Sequence, residues 1–349
     1  MKKYFMILLF VFLIGGVCLA AESEENHFIV VSPHAYAWNW ESPSPYVPGR
    51  TILGTSMSTY LSLNPGPLTI NLGVYGDYQS GDETFLSNIR PILSVAYSLE
   101  DLLIFRLGTL DNSDNYGILD AYKSELHMFE RPIDYGTQIE MKTEGAKEEN
   151  PTKGLDFQTF VVWNLLDTPE HRENLDWGMV MNMYIPHFIF NGQLYWTHHG
   201  GEIYYAGPLI DYWNYAFGVD HYYDIDNDVV KRFGVKFDWL RNEFQEYHVL
   251  VSNFGKGAQG EVYVDLRKIR LYVAYWKSFS EVLTEEGNQL YRHEDWLRCG
   301  YDIKTEIVEG FYFRSWAKVH YVFDDQKIGI EAMFGIQGEL DFPILNGMM

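Results

Sequence analysis

Apolar and polar residues alternate with a period of two along nearly all of the chain after residue 21. This alternation is typical of strands that have one apolar face and one hydrated face. Many of the alternating stretches extend for about ten residues, longer than most strands of soluble sheets and long enough for a tilted strand to cross a bilayer. Clear examples begin at Leu68, Phe188, Lys268, Phe311 and Ile328.

The alternation predicts an all-β fold, namely an antiparallel transmembrane β-barrel of about 16 strands, with a range of roughly 14 to 18. No stretch after residue 21 approaches the roughly 20 apolar residues of a membrane-spanning helix, and only a closed barrel satisfies the backbone of strands in lipid. One short helix is predicted in a long loop, from Ile118 to Glu130, because Ile118, Tyr122 and Leu126 recur at a spacing of four. Residues 198–210 fit either one strand or two.

The connections between the predicted strands are of two kinds. They are short at 64–67 and 308–310, and long and polar at 109–134, 143–154, 222–230 and 278–294. Outer-membrane barrels combine short turns at one end with long loops at the other. The two kinds do not alternate cleanly along this sequence, so it leaves open which loops face outward.

Residues 1–21 have the composition of a secretory signal peptide. Lys2 and Lys3 precede an apolar run, and the small residues Ala20 and Ala21 offer a cleavage site. The alternative is an uncleaved anchor, against which the shortness of the apolar run argues. The expected organisation is therefore a signal peptide at 1–21 followed by one outer-membrane barrel domain at 22–349.

The composition of the exported part narrows the class of protein further. Cys299 is its one cysteine, so an internal disulfide framework is excluded. Removing Lys2 and Lys3 leaves 24 basic against 48 acidic residues, a net charge of −24. That acidity disfavours nucleic acid as a partner, since phosphate binding needs a basic surface.

Charged residues of both signs fall on the predicted inner faces of the C-terminal half. A small dry core could not hold so many charges, whereas a wide, water-filled lumen could. The sequence therefore predicts a pore, and the alternative is a lumen that the same charges plug by pairing. The predicted pore-lining residues are Arg232, Lys236, Asp238, Glu261, Asp265, Arg270, Arg298, Asp302, Lys304, Glu306, Arg314, Lys318, Glu331 and Glu339.

The loop at 109–134 is the segment best suited to narrow such a pore. Glu125, His127 and Glu130 lie beside its apolar face and form a predicted constriction if the loop folds inward. The alternative is that the loop caps the barrel from outside.

Other polar motifs carry weaker chemical signals. Adjacent histidines in His198-His199-Gly200-Gly201-Glu202 point to opposite faces of a strand, which favours a turn over a metal site. Asp224, Asp226 and Asp228 resemble part of an EF-hand loop but lack its glycine and closing acid, which favours a solvated turn. The spacing joins no serine and histidine to an acid. We therefore expect no metal, no cofactor and no enzyme activity.

Together these features resemble Gram-negative outer-membrane β-barrels of the porin type, over essentially all of residues 27–342. Two segments, Leu119 to Glu140 and His198 to Ile203, resemble those of uncharacterised porin-like barrels. The resemblance implies outer-membrane localisation, transport of small polar solutes or ions through a charged lumen, contact with outer-membrane lipids and lipopolysaccharide, and a homotrimer. One departure is that seven residues follow Phe342, which closes the last predicted strand.

Two other functions remain open from the sequence. One is a barrel with a plugged lumen that acts as a surface enzyme or an adhesin. The other is a secreted, soluble β-rich protein that binds glycans, although no blade repeat supports a propeller.

Overall fold

The structure is a computed structural model of the 349-residue chain. It describes residues 27–42, 44–46, 49–81, 88–100, 102–147, 152–166, 168–169, 171–200, 209–247 and 251–344. The predicted signal peptide and its cleavage site lie outside the described residues.

Seventeen strands follow one another along the described chain, and most have 12 or more residues. Their bounds are β1 Phe28–Glu41, β2 Arg50–Leu63, β3 Leu68–Gln79, β4 Asn88–Leu99, β5 Leu103–Asp111, β6 Ile133–Lys142, β7 Gly154–Leu165, β8 Asn174–Ile185, β9 Phe188–His199, β10 Ile210–Asp224, β11 Val230–Glu246, β12 Val251–Leu266, β13 Ile269–Ser280, β14 Asp295–Val308, β15 Phe311–Val322, β16 Lys327–Gly338 and β17 Leu340–Pro343.

The strands form one closed, antiparallel barrel. Each strand pairs with its neighbours in sequence, and β1 closes the sheet by pairing with β16 and with β17 as well as with β2. Since β17 continues β16 after a break at Glu339, the barrel has 16 strands in its circumference. The predicted fold class and strand number are confirmed.

The two ends of the barrel differ in their connections. Both described termini lie at the end with mostly short turns, such as 64–67, 186–187, 267–268 and 309–310. We call this the short-turn end, and the opposite end, which carries 42–49, 112–132, 281–294 and 323–326 among others, the long-loop end. The loops at 143–153 and 225–229, predicted to be long, both belong to the short-turn end. In the range 198–210, β9 ends at His199 and β10 begins at Ile210, and residues 201–208 lie outside the described residues.

The two faces of the wall follow the period-two pattern of the sequence. On β16, Ile328, Ile330 and Phe334 expose 66%, 44% and 60% of their surface, while the intervening Glu331 is buried. Large exposed apolar side chains recur in this way around the barrel, as expected of a surface that contacts lipid. Cys299 lies on that outer face.

The helix predicted from Ile118 to Glu130 is much shorter in the structure. Only His127–Glu130 forms an α-helical turn, which we call α1, and Asn115–Gly117 forms a 3₁₀ turn. The intervening backbone bends to reach partners on the wall; the Leu119 N–H, for example, donates to the Gln193 side chain at 2.9 Å. Tertiary contacts therefore override the helical spacing. Among the described residues, no helix is long and apolar enough to cross a membrane.

Candidate active site

Two loops from the long-loop end, residues 112–132 and 281–294, fold into the barrel, and we call them the inner loops. They contact each other directly, since the Ser124 and Asn288 N–H groups donate to the Glu286 and Asp120 carbonyls at 2.7 and 2.8 Å. Wall residues that contact them come from strands around the barrel: Tyr36, Gln79, Gln193, Tyr215, Arg241, Arg298 and Lys318. Buried Tyr122, Ala121 and Leu290 expose no measurable surface. The inner loops therefore fill the middle of the lumen.

Ion pairs hold the inner loops to the wall. Glu125 accepts a hydrogen bond from Lys318 at 2.6 Å, and Asp120 lies 3.5 Å from Arg298. Although burial disfavours ionisation of Glu125, the charge of Lys318 and its hydrogen bond lower the pKa of that carboxyl below its ordinary value. Buried charges need such partners, because an unpaired one is very costly.

Glu286 connects the two inner loops by charge. Its carboxylate pairs with the Arg131 guanidinium and lies 2.9 Å from His127 Nε2. Burial acts to raise the pKa of this carboxyl, but the hydrogen bond from His127 and the charge of Arg131 outweigh it and lower the pKa to about 2. The predicted constriction residues Glu125 and His127 therefore lie inside the barrel and are paired; the Glu130 side chain lies outside what the structure describes.

The predicted pore-lining residues fall into separate groups. Arg298 and Lys318 contact the inner loops, and Lys318 also lies 3.7 Å from Glu331. Others pair along the wall: Lys236 with Asp238 at 3.0 Å, Arg270 with Asp265 at 2.7 Å, Arg232 with Asp224 at 2.7 Å, Arg314 with Asp302 at 4.0 Å, and Glu261 opposite Lys236 in the ladder. Glu306 accepts from the Gly310 N–H at the turn. Their role in lining a pore stays a prediction.

A cavity of about 730 Å³ opens below the inner loops towards the short-turn end. Lys304, Arg314 and Glu339 border it, together with a set of small hydroxyl-bearing and amide side chains: Ser32, Ser56, Ser58, Ser94, Ser98, Thr69, Thr109 and Asn71. Apolar side chains such as Ile92, Leu110, Phe129 and Met333 complete the lining, so it is mixed in polarity and carries charges of both signs.

A serine, a histidine and an aspartate meet at the long-loop end. Ser44 Oγ lies 2.6 Å from His293 Nε2, and His293 Nδ1 lies 3.8 Å from the Asp324 carboxylate. The three residues come from the loops 42–49, 281–294 and 323–326. A histidine with a serine hydroxyl on one ring nitrogen and a carboxylate on the other is the arrangement of a nucleophile, a general base and an orienting acid.

Backbone contacts fix each member of this triad. The Tyr46 N–H donates to Ser44 Oγ at 3.1 Å, and the Glu294 N–H donates to the Asp324 carboxylate at 2.9 Å. The His293 carbonyl accepts from the indole of Trp276 at 3.1 Å. The first contact lies within loop 42–49, whereas the other two join loop 281–294 to Asp324 and to Trp276 of β13.

Burial keeps the imidazole in the form that acts as a base. His293 exposes 4% of its surface, and this burial lowers the pKa of its ring below the ordinary value, against the opposing effect of Asp325 and Asp324. The ring of Tyr46 covers it with centroids 5.1 Å apart, and the Arg292 guanidinium lies 4.5 Å above the Tyr46 ring.

The histidine motif of β9 does not assemble a metal site in the described part of the chain, where no cluster of three potential ligands occurs. His198 lies 2.6 Å from Asp211, whereas His199 pairs with Glu285 of an inner loop. The Asp224–Asp228 turn is closed by Asn227, whose side chain accepts from the Val229 N–H at 2.8 Å.

Fold and strand number define the class of protein: a bacterial outer-membrane β-barrel. Solved structures with this fold include Vibrio cholerae OmpT with its loop L8 deleted, at a TM-score of 0.51 and 9% identity over 90% of this chain and 100% of that chain. Acinetobacter baumannii OccAB3 and OccAB2 align at TM-scores of 0.51 and 0.52, with 8% and 9% identity over 90% of this chain and 99% and 98% of theirs. At these identities the likeness concerns the fold alone.

The family model described as Lipid A 3'-O-deacylase-type matches residues 19–346. The chain belongs to this family. No curated protein matches it. The expectation from sequence that the protein is not an enzyme is wrong, because the family is named for an enzyme. Sequence reasoning missed the triad because Ser44 and His293 are 249 residues apart and no motif surrounds either of them.

Proposed function

We propose that this barrel is an ester hydrolase of the outer membrane that removes an acyl chain from lipid A, with Ser44 as nucleophile. The observation that carries the proposal is the contact of Ser44 Oγ with His293 Nε2 at 2.6 Å, with Asp324 behind the imidazole. Long loops mark the extracellular end of outer-membrane barrels. The triad would then lie beside the outer leaflet, where lipid A resides.

The reaction follows from the roles of the three side chains. Ser44 Oγ attacks the carbonyl carbon of the ester while His293 Nε2 takes the hydroxyl proton. The intermediate collapses, the ester oxygen leaves on the sugar with the proton from His293, and the acyl group stays on Ser44. Water then attacks the acyl-enzyme with His293 as base, releasing the fatty acid and restoring the serine. Asp324, whose carboxylate lies 3.8 Å from Nδ1 and therefore beyond hydrogen-bond distance, stabilises the imidazolium by its charge.

The test is the release of fatty acid from lipid A by purified protein in detergent. Ser44→Ala and His293→Ala should each lower kcat/KM by at least about 1,000-fold, as the removal of a triad member does elsewhere. Ser252→Ala, which changes an exposed serine at the same end of the barrel, is the matched control and should keep full activity. Unchanged activity in Ser44→Ala, with folding verified by migration of the unheated protein on gels, would contradict the assignment.

A diffusion channel is the second candidate function. The cavity of about 730 Å³ favours it, since the charged and hydroxyl-bearing side chains in its mixed lining can contact small polar solutes and ions. The inner loops argue against a channel, because they contact β1, β9 and β15 on different sides of the wall and so obstruct the lumen. Stepwise conductance of the purified wild-type protein in a planar bilayer would support this candidate.

A further inference from the structure

Two cations lie side by side on the outer surface of the barrel. Arg241 of β11 and Lys256 of β12 are directly opposite each other in the ladder, and both are exposed. Like charges in directly opposed cross-strand positions repel and destabilise the pairing. This arrangement therefore calls for an anion from outside the chain.

The described residues do not supply that anion. Neither cation forms an ion pair within the described ranges, which omit 248–250 at the end of β11. The Arg241 guanidinium lies 5.4 Å from the Phe254 ring centre, and the nearby Glu243 carboxylate accepts from Gln245. By contrast Lys277, on the outer face of β13, pairs with Glu294 at 2.6 Å.

Aromatic side chains fix the level of this pair relative to the membrane. Trp239, two residues before Arg241 on the same face of β11, stacks on Phe279 at 5.5 Å. On β10, the outward Trp213 is opposite Glu243, one outward position beyond Arg241 towards the long-loop end, and it stacks on Trp196 of β9 at 5.3 Å. Such aromatic girdles lie at the boundary between hydrocarbon and headgroups. Arg241 lies between the ladder levels of Trp239 and Trp213, and therefore within the aromatic belt, at the boundary of the headgroup region.

We propose that Arg241 and Lys256 bind a phosphate group of the outer-leaflet glycolipid, and we call them the phosphate patch. Arginine offers a planar fork of donors to phosphate oxygens and lysine adds a compact positive charge. The choice of lipid A as the bearer of the phosphate rests on the proposed function. The patch lies on β11 and β12, and β12 pairs with β13, which leads directly into the inner loop that carries His293. A glycolipid bound there would lie on the side of the rim where that loop begins.

Native mass spectrometry of the purified protein in detergent tests the phosphate patch. Wild type should bind lipid A that keeps its phosphates more tightly than lipid A from which both phosphates have been removed. Arg241→Gln and Lys256→Gln should each weaken binding of the phosphorylated form by about fivefold, the effect of one cation near an anionic surface. The double variant should approach the affinity of wild type for the dephosphorylated lipid.

Lys231→Gln is the matched control, because Lys231 is an exposed cation on the same strand at the short-turn end. It should leave the affinity unchanged. Equal affinity of wild type for both lipids, an equal loss in Lys231→Gln, or full displacement of the lipid by millimolar inorganic phosphate would overturn the proposal. Ser44→Ala leaves the phosphate patch intact, so its lipid binding tests the patch and its hydrolysis tests the triad. Loss of hydrolysis with retained binding of the phosphorylated lipid would support both, whereas retained hydrolysis would count against the triad alone.

Discussion

The Glu286 carboxylate joins the two inner loops through two cationic partners, Arg131 and His127. Its pKa of about 2 lies below that of an unfolded glutamate, which is about 4.3. A depressed carboxyl pKa stabilises the fold at pH values above the unfolded pKa, and that contribution is lost as the pH falls towards 2. The inner loops therefore depend on an ionised Glu286.

Glu286→Gln should lower the free energy of unfolding by about 3 kcal/mol at pH 7, because it removes the group whose pKa is shifted by about two units. Stability of the variant should also fall less steeply than that of wild type between about pH 4.5 and pH 2. Urea unfolding followed by tryptophan fluorescence measures both effects. Glu144→Gln is the control, since the Glu144 side chain is 93% exposed in a short-turn-end loop. Parallel pH curves for wild type and Glu286→Gln would refute the assignment.

At the scale of elements, the inner loops act as one unit. Gly287 packs against the Ala121 carbonyl so closely that an added Cβ would lie 2.0 Å from that oxygen. The Tyr122 hydroxyl reaches the far wall, where it donates to the Tyr215 carbonyl at 2.5 Å and accepts from the Arg241 N–H at 3.1 Å. A segment that is anchored on both sides of a barrel obstructs the passage between them.

Replacing residues 118–126 with a short glycine-serine linker should raise single-channel conductance several-fold above that of wild type in planar bilayers. The reason is that the linker removes the side chains that span the lumen from β9 to β15. A same-length replacement of 225–229, a turn at the short-turn end, is the control and should conduct like wild type. Large conductance steps in wild type, equal to those of the linker variant, would favour the channel over the obstructed barrel.

For the whole molecule, the barrel places two different environments at opposite ends. The charged cavity opens at the short-turn end, and the Ser44–His293–Asp324 triad lies at the long-loop end. Hydrolysis of an outer-leaflet lipid requires the long-loop end to be extracellular, which is the usual orientation of outer-membrane barrels.

Cysteine labelling on intact cells tests this orientation. In a Cys299→Ser background, a Ser252→Cys variant at the long-loop end should react with a membrane-impermeant thiol reagent. A Lys268→Cys variant at the short-turn end should react only after the outer membrane has been permeabilised. The reverse pattern would place the triad in the periplasm and exclude the proposed substrate geometry.

The sequence by itself determined the barrel. Period-two alternation, seen for example at Ile328, Ile330 and Phe334, indicates which face of each strand contacts lipid. It also fixes the strand register, because a shift of one residue would move every side chain to the opposite face. Local pattern therefore predicted the fold class and the strand number. It also identified the charged inner face on which Arg298 and Lys318 lie.

Only the tertiary structure showed that the inner loops fill the lumen and that a serine, a histidine and an aspartate come together at the long-loop end. The spacing of Ile118, Tyr122 and Leu126 predicts a helix, yet contacts with distant strands leave only the turn at His127–Glu130. The triad likewise depends on closure of the barrel, which brings a loop near the start of the chain beside two loops near its end. A pattern that is local in sequence cannot contain such contacts, because they exist only once β1 has paired with β16.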